Sequence, residues 1–192
     1  QAALPGPPPL WPDFVCLSKG ISGGYLPLSL VLTRDAVYEA FLDDDVARGF
    51  LHSHSYTGNA LACRAALAVL DRFEQDQALA RNREQAAALS AALAPLAGDP
   101  RIEHFRQRGM IWAFDVREPF VGQRFAERFH LAGRERSLLI RPIGRTVYLM
   151  PPYVLDGALA QWLAEHLLVT LNAVLAAEPS PHANRTSEPP TA

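Results

Sequence analysis

Between Asn59 and Leu96 the chain is alanine-rich and offers little except helix. Alanine has the highest helix propensity, and "GDP" at 98–100 supplies a stop. The spacing predicts one helix over 59–74 and a second over about 77–96. A helical stretch this long divides the rest of the chain in two. Before it lie two short apolar runs, 14–17 and 26–33, which read as buried strands. They are separated by a turn at 18–24 that holds Gly20, Gly23 and Gly24. A short helix is expected over 34–41, with Thr33 as its N-cap and Asp35 in its first turn, and then a polar loop over 43–58. After the helices, 102–116 alternates around "MIWAFDV" and reads as a strand. An amphipathic helix follows over 122–133. "SLLIRPIG" and "TVYLMPP" read as two strands joined at "PIGR", and a last helix over 156–176 places Leu159, Leu163, Leu167 and Leu171 at helical spacing. The fold class expected is therefore a piece of an α/β domain followed by a smaller α+β domain. The divisions are an irregular start at 1–12, a first domain over 13–85, a second over 86–176 and a disordered tail over 177–192.

Composition removes several function classes. The chain has 192 residues, 49% hydrophobic and 20% charged, with a net charge of -2. That balance gives no electrostatic reason to expect nucleic acid or an anionic membrane. No apolar run was found that reaches the roughly 18 residues of a membrane span. Cys16 and Cys63 stand far apart in apolar segments and are expected to be small buried hydrophobes in a reducing cytosol. The start shows neither an initiator Met nor a signal peptide, which suggests a fragment or a truncated reading frame. "NRT" at 184–186 matches a glycosylation acceptor by chance.

The 18 basic residues are 17 arginines and one lysine, Lys19, inside "DFVCLSKGISGGYLPLSLVL". Arginine supplies charge equally well, but only lysine can lose its proton at accessible pH and attack a carbonyl. Lys19 is therefore a candidate nucleophile, set against the plain reading of a surface lysine. In "HSHSYTGNALAC" the hydroxyls of Ser53, Ser55 and Thr57 precede a helix start that could receive a phosphate, or Thr57 or Asn59 simply caps that helix. His52 and His54 could suggest a metal, but no carboxylate or cysteine cluster accompanies them, and no metal is expected. In "LLIRPIGRTVYLMPPY" Arg141 sits in an apolar strand. Its guanidinium would pair with a substrate carboxylate or with an acid of the chain itself.

Taken together, "PDFVCLSKGISGGYLPLSLVLT", "FLHSHSYTGNALACRAALA" and "LLIRPIGRTVYLMPPYV" resemble the fold-type I, class III aminotransferases, which use pyridoxal 5'-phosphate. The resemblance runs from about Pro12 to Ala176. It implies that 13–85 is the C-terminal part of the large cofactor-binding domain and that 86–176 is the small C-terminal α+β domain. Lys19 would be the residue that bonds the cofactor aldehyde. Ser55, with Tyr56 beside it, would reach the phosphate from the neighbouring subunit of a homodimer. Arg141 would hold the substrate carboxylate, and Gly24 would lie with it at the substrate. "MPPY" is similar to the branch that acts in biotin synthesis. That branch passes an amino group from S-adenosylmethionine to 8-amino-7-oxononanoate to give 7,8-diaminononanoate, and the expected setting is the cytoplasm.

The departures are specific. The family usually has proline where this chain has Ala60. Its aspartate that pairs with the pyridine nitrogen lies upstream of the lysine, and the only acid in residues 1–13 is Asp13. Its upstream Gly/Ser phosphate loop and its stacking aromatic have no counterpart either. Two other readings follow: a class III enzyme for a different ω-amino substrate, and a non-catalytic remnant of the fold.

Overall fold

The computed structural model describes residues 11–176; most of the expected irregular start and all of the expected tail lie outside them. The chain divides into two compact units between Ala78 and Leu79. The sequence had suggested 85/86. The helix α3 (Ala78–Ala92) buries Ala86 and Leu89 in the core of the second unit.

In the first unit, β1 (Phe14–Ser18) and β2 (Ser29–Thr33) form an antiparallel hairpin in the register Phe14↔Thr33 to Ser18↔Ser29. Both strands were expected to be buried, yet nearly every residue of both is exposed, Cys16 included. Apolar runs of this kind suit strands covered on both faces, and among the described residues nothing covers these. The helix α1 (Asp35–Glu39) starts later than expected and is not capped by Thr33. That threonine is held in β2, where its hydroxyl donates to the Asp13 carbonyl at 3.0 Å. The helix α2 (Ala60–Gln75) begins at Asn59, whose Oδ1 accepts from the Leu61 and Ala62 amides at 3.0 and 3.2 Å. Gln77, with φ 48, turns the chain out of helix before α3.

The second unit holds one continuous apolar core. The stretch expected as a single strand over 102–116 is two, β3 (Ile102–Arg108) and β4 (Ile111–Val116). Gly109, with φ 56, permits the tight turn that pairs Arg108 with Ile111. Alternation along β4 sends Trp112, Phe114 and Val116 inward. The third strand, β5 (Thr146–Leu149), pairs antiparallel with β4. "SLLIRPIG" is not a strand. It keeps alternating burial, with Leu138 and Ile140 in and Leu139 out, but joins the sheet only through an Ile143↔Thr146 bridge. Pro142 lacks an amide hydrogen, which removes a ladder donor there.

Helices α4 (Ala94–Ala97), α5 (Glu118–Val121), α6 (Phe125–Arg134) and α7 (Gly157–Ala176) complete the unit. The helix that the leucine spacing predicts is present; of that row Leu167 and Leu171 are buried, Leu163 packs partly buried on the core and Leu159 is exposed. A strict i, i+4 row drifts around a 3.6-residue helix, so the buried face instead alternates steps of four and three through Ala160, Ala164, Leu167, Leu171 and Val174. At 20 residues α7 is long and apolar enough to cross a membrane by length and composition, although Gln161, Glu165, His166 and Asn172 interrupt any continuous apolar run. Its buried face instead packs into the protein core.

Candidate active site

Lys19 follows β1 directly and opens a 3-10 turn, Lys19–Ser22, on the way to β2. The glycines of this segment have clear roles. Gly23 and Gly24 take φ 63 and 79, and a Cβ on Gly23 would meet Val69 of α2 at 3.1 Å. The turn therefore lies against α2. Lys19 itself has φ 56, a left-handed value that a residue with a Cβ seldom adopts. Its side chain is exposed, and among the described residues its amine has no hydrogen-bond or ion-pair partner.

The loop before α2 is mostly ordered by its own residues. Thr57 Oγ1 accepts from the His54 amide at 3.2 Å, and His54 Nδ1 accepts from the Tyr56 amide at 3.2 Å. The His54 and Tyr56 rings lie 5.7 Å apart. Capping accounts for two of the first free amides of α2, through Asn59, as the plain reading of that motif expects. Thr57 binds within the loop instead. Ser55 is different: its hydroxyl is exposed and has no partner among the described residues. Tyr56 is 74% exposed. Among the described residues no group of three or more metal-ligating side chains gathers around His52 and His54 or elsewhere.

Arg141 belongs to the second unit. It was expected inside a strand with a buried guanidinium, but it is exposed on the irregular segment before Pro142. Among the described residues it has neither an ion pair nor a hydrogen bond. It borders an open groove of about 470 Å³ whose other walls include Leu138, Tyr148, Met150, Pro152 and Trp162. The paired charges of this unit lie elsewhere. Arg145 reaches Glu103 at 2.6 Å, and Thr146 donates to Asp115 at 2.7 Å. The Arg145 hydrogen bond holds the Glu103 carboxyl below its usual range. Burial acts to raise Asp115, but hydrogen bonds from Thr146 and His104, together with Arg106, outweigh it and hold that carboxyl low as well. Arg145 and Arg141 are four residues apart in one segment, and only Arg145 is occupied within the protein.

A lysine on a glycine turn, a loop hydroxyl before a capped helix, and an unpaired arginine beside an apolar groove can be compared with known proteins. The family model for aminotransferase class III matches residues 7–171. The adenosylmethionine-8-amino-7-oxononanoate aminotransferase of Helicobacter pylori is 45% identical over 153 residues, covering 75% of this chain and 34% of the relative. The enzyme of the same name from Nitratidesulfovibrio vulgaris is 40% identical, covering 73% of this chain and 28% of the relative. The crystal structure of that enzyme from Methanocaldococcus jannaschii superposes with a TM-score of 0.77 at 29% identity, over 85% of this chain and 39% of that one. An amine transaminase from an uncultivated Pseudomonas species, in its PLP-bound form, gives a TM-score of 0.75 at 29% identity, over 85% of this chain and 39% of that one. The chain thus spans about a third of the length of the curated relatives it matches. With a family model covering most of its residues and the same fold in solved relatives, this chain belongs to the class III aminotransferases.

Proposed function

We propose that this chain carries the lysine-bearing part and the small domain of a pyridoxal-phosphate-dependent aminotransferase of biotin synthesis, moving an amino group from S-adenosylmethionine to 8-amino-7-oxononanoate. The observation that carries the reading is Lys19: the chain's one lysine stands exposed on a glycine turn, its amine unpartnered among the described residues, in a sequence 45% identical to an enzyme of that name.

The donor set fits the cofactor. A primary amine suits an aldehyde, and a hydroxyl without a protein partner, on Ser55, suits a phosphate. The cofactor, when bound, supplies an electron sink that makes the carbon bearing the amine acidic. The remaining chemistry falls to the chain's own groups. Lys19 Nζ would hold the cofactor through its aldehyde and, as a free amine, would act as the base and acid that moves the substrate's proton. Arg141 binds the carboxylate of the keto substrate as a charge-assisted pair and sets its register. Ser55 and Tyr56 act from the second copy of a homodimer, and Gly24 leaves room for substrate beside the turn. The cytoplasm is the proposed setting.

A second substrate class is favoured by one observation, since the amine transaminase superposes almost as well as the biotin-pathway enzyme. Incubation with pyridoxal phosphate, borohydride reduction and peptide mapping test the cofactor role directly. The label is expected on Lys19, and a chain that stays unlabelled and colourless would be a remnant. Amino-donor trials on an enzyme completed to the length of the relatives separate S-adenosylmethionine from simple amines.

A further inference from the structure

We infer that Ser22 is a positioning residue that holds Lys19 in its left-handed backbone conformation and so sets where the lysine amine stands. The inference rests on the reading of Lys19 given above.

Three observations carry it. Ser22 is only 2% exposed and is the one buried polar residue of the first unit among the described residues. Its hydroxyl donates to the Leu26 carbonyl and also lies 3.5 Å from the carbonyl of Lys19. One side chain therefore spans the turn from its first residue to its exit. Lys19 takes φ 56, where glycine is at ease and a residue with a Cβ is not. Such a conformation persists only when its surroundings over-determine it.

Besides the backbone bonds of the 3-10 turn itself, the other fastenings lie further along the chain. The Gly23 amide bonds the Gly20 carbonyl at 3.0 Å, and the Tyr25 amide bonds the Ser22 carbonyl at 3.2 Å. Both act downstream of the lysine. Gly23 lets the turn lie against Val69. The lysine side chain is exposed, and among the described residues its amine has no hydrogen-bond or ion-pair partner to orient it, so its root is the part that local structure can hold. A chain needing only bulk at position 22 would be served by alanine. A buried hydroxyl must find an acceptor; its proton goes to the Leu26 carbonyl, and the Lys19 carbonyl lies 3.5 Å from the same oxygen.

The sole lysine makes the test direct on the chain as it exists. Wild type, Ser22→Ala and Ser22→Thr are incubated with pyridoxal phosphate, reduced with borohydride and mapped, and hydrogen exchange is followed at the Gly23 and Tyr25 amides. Ser22→Ala should lower the label on Lys19 by about two- to tenfold, the range one hydrogen bond spans. Ser22→Thr, which keeps the hydroxyl, should label like wild type. The amides should exchange faster in Ser22→Ala, and the acceleration should be about threefold smaller when Lys19→Gly has removed the strain. Equal labelling of wild type and Ser22→Ala, or equal acceleration in both backgrounds, would overturn the inference and leave Ser22 a packing residue. Label confined to the terminal amine in wild type would overturn the reading of Lys19 instead, while the exchange comparison would still decide Ser22.

Discussion

The two units differ most in what they bury. All 21 residues of the apolar core cluster belong to the second unit, from Ala86 to Val174. In the first unit the buried apolar residues among the described ones are Ala62 and Ala66, while Val31 and Leu32 on β2 remain 62% and 53% exposed. Yet the first unit holds Lys19 and Ser55. A two-stranded hairpin is marginal by itself, whereas three strands backed by helices can sustain a fold. The proposed chemistry thus falls on the region that supports itself least. A covering of its apolar strands by further polypeptide is the natural expectation for a chain spanning about a third of its relatives.

The largest expected effect separates chemistry from stability. Lys19→Arg should abolish reductive labelling by pyridoxal phosphate at position 19, because a guanidinium stays protonated, and should leave the urea unfolding of the second unit unchanged. A shifted unfolding midpoint would show that the units are not independent. Next comes Phe129→Ala, which empties a site with no exposed surface on α6. It should destabilise the second unit by about 3–5 kcal/mol in denaturant unfolding, against about 0.5 kcal/mol or less for Leu32→Ala on the open hairpin. A comparable loss at Leu32 would mean that the hairpin is covered in solution.

A smaller effect is expected from Asn59→Ala. It frees two amides at the start of α2 and should cost that helix about 0.5–2 kcal/mol, read by hydrogen exchange at Leu61 and Ala62. The smallest is a pH effect. Asp99, held low first by its hydrogen bond from Arg101, and Asp115 both have carboxyls lowered in the fold. Their contribution is present above the unfolded value of about 4 and is lost as pH falls through the lowered folded values. The urea midpoint of the second unit should therefore hold from pH 7 to about 5 and decline below about 4. A midpoint that rises on acidification would contradict that sign.

What could be read from residues alone was what depends on neighbours in sequence. Gly20, Gly23 and Gly24 located the turn, and Lys19 stood out because every other base is arginine. The alternation of β4 announced its inward face, and the alanine run announced α2 and α3. Each of these follows from local sterics or from a short period. Burial does not, because it depends on what lies across from a residue. The same apolar period that is filled at Trp112 is left open at Val31. Arg141 and Arg145 look alike in the chain, but a carboxylate stands opposite only one of them. The buried face of α7 had to wait for the helix to dock. Ser22 is an ordinary serine in the string of letters, and only the folded turn buries it and brings its hydroxyl to the Leu26 carbonyl.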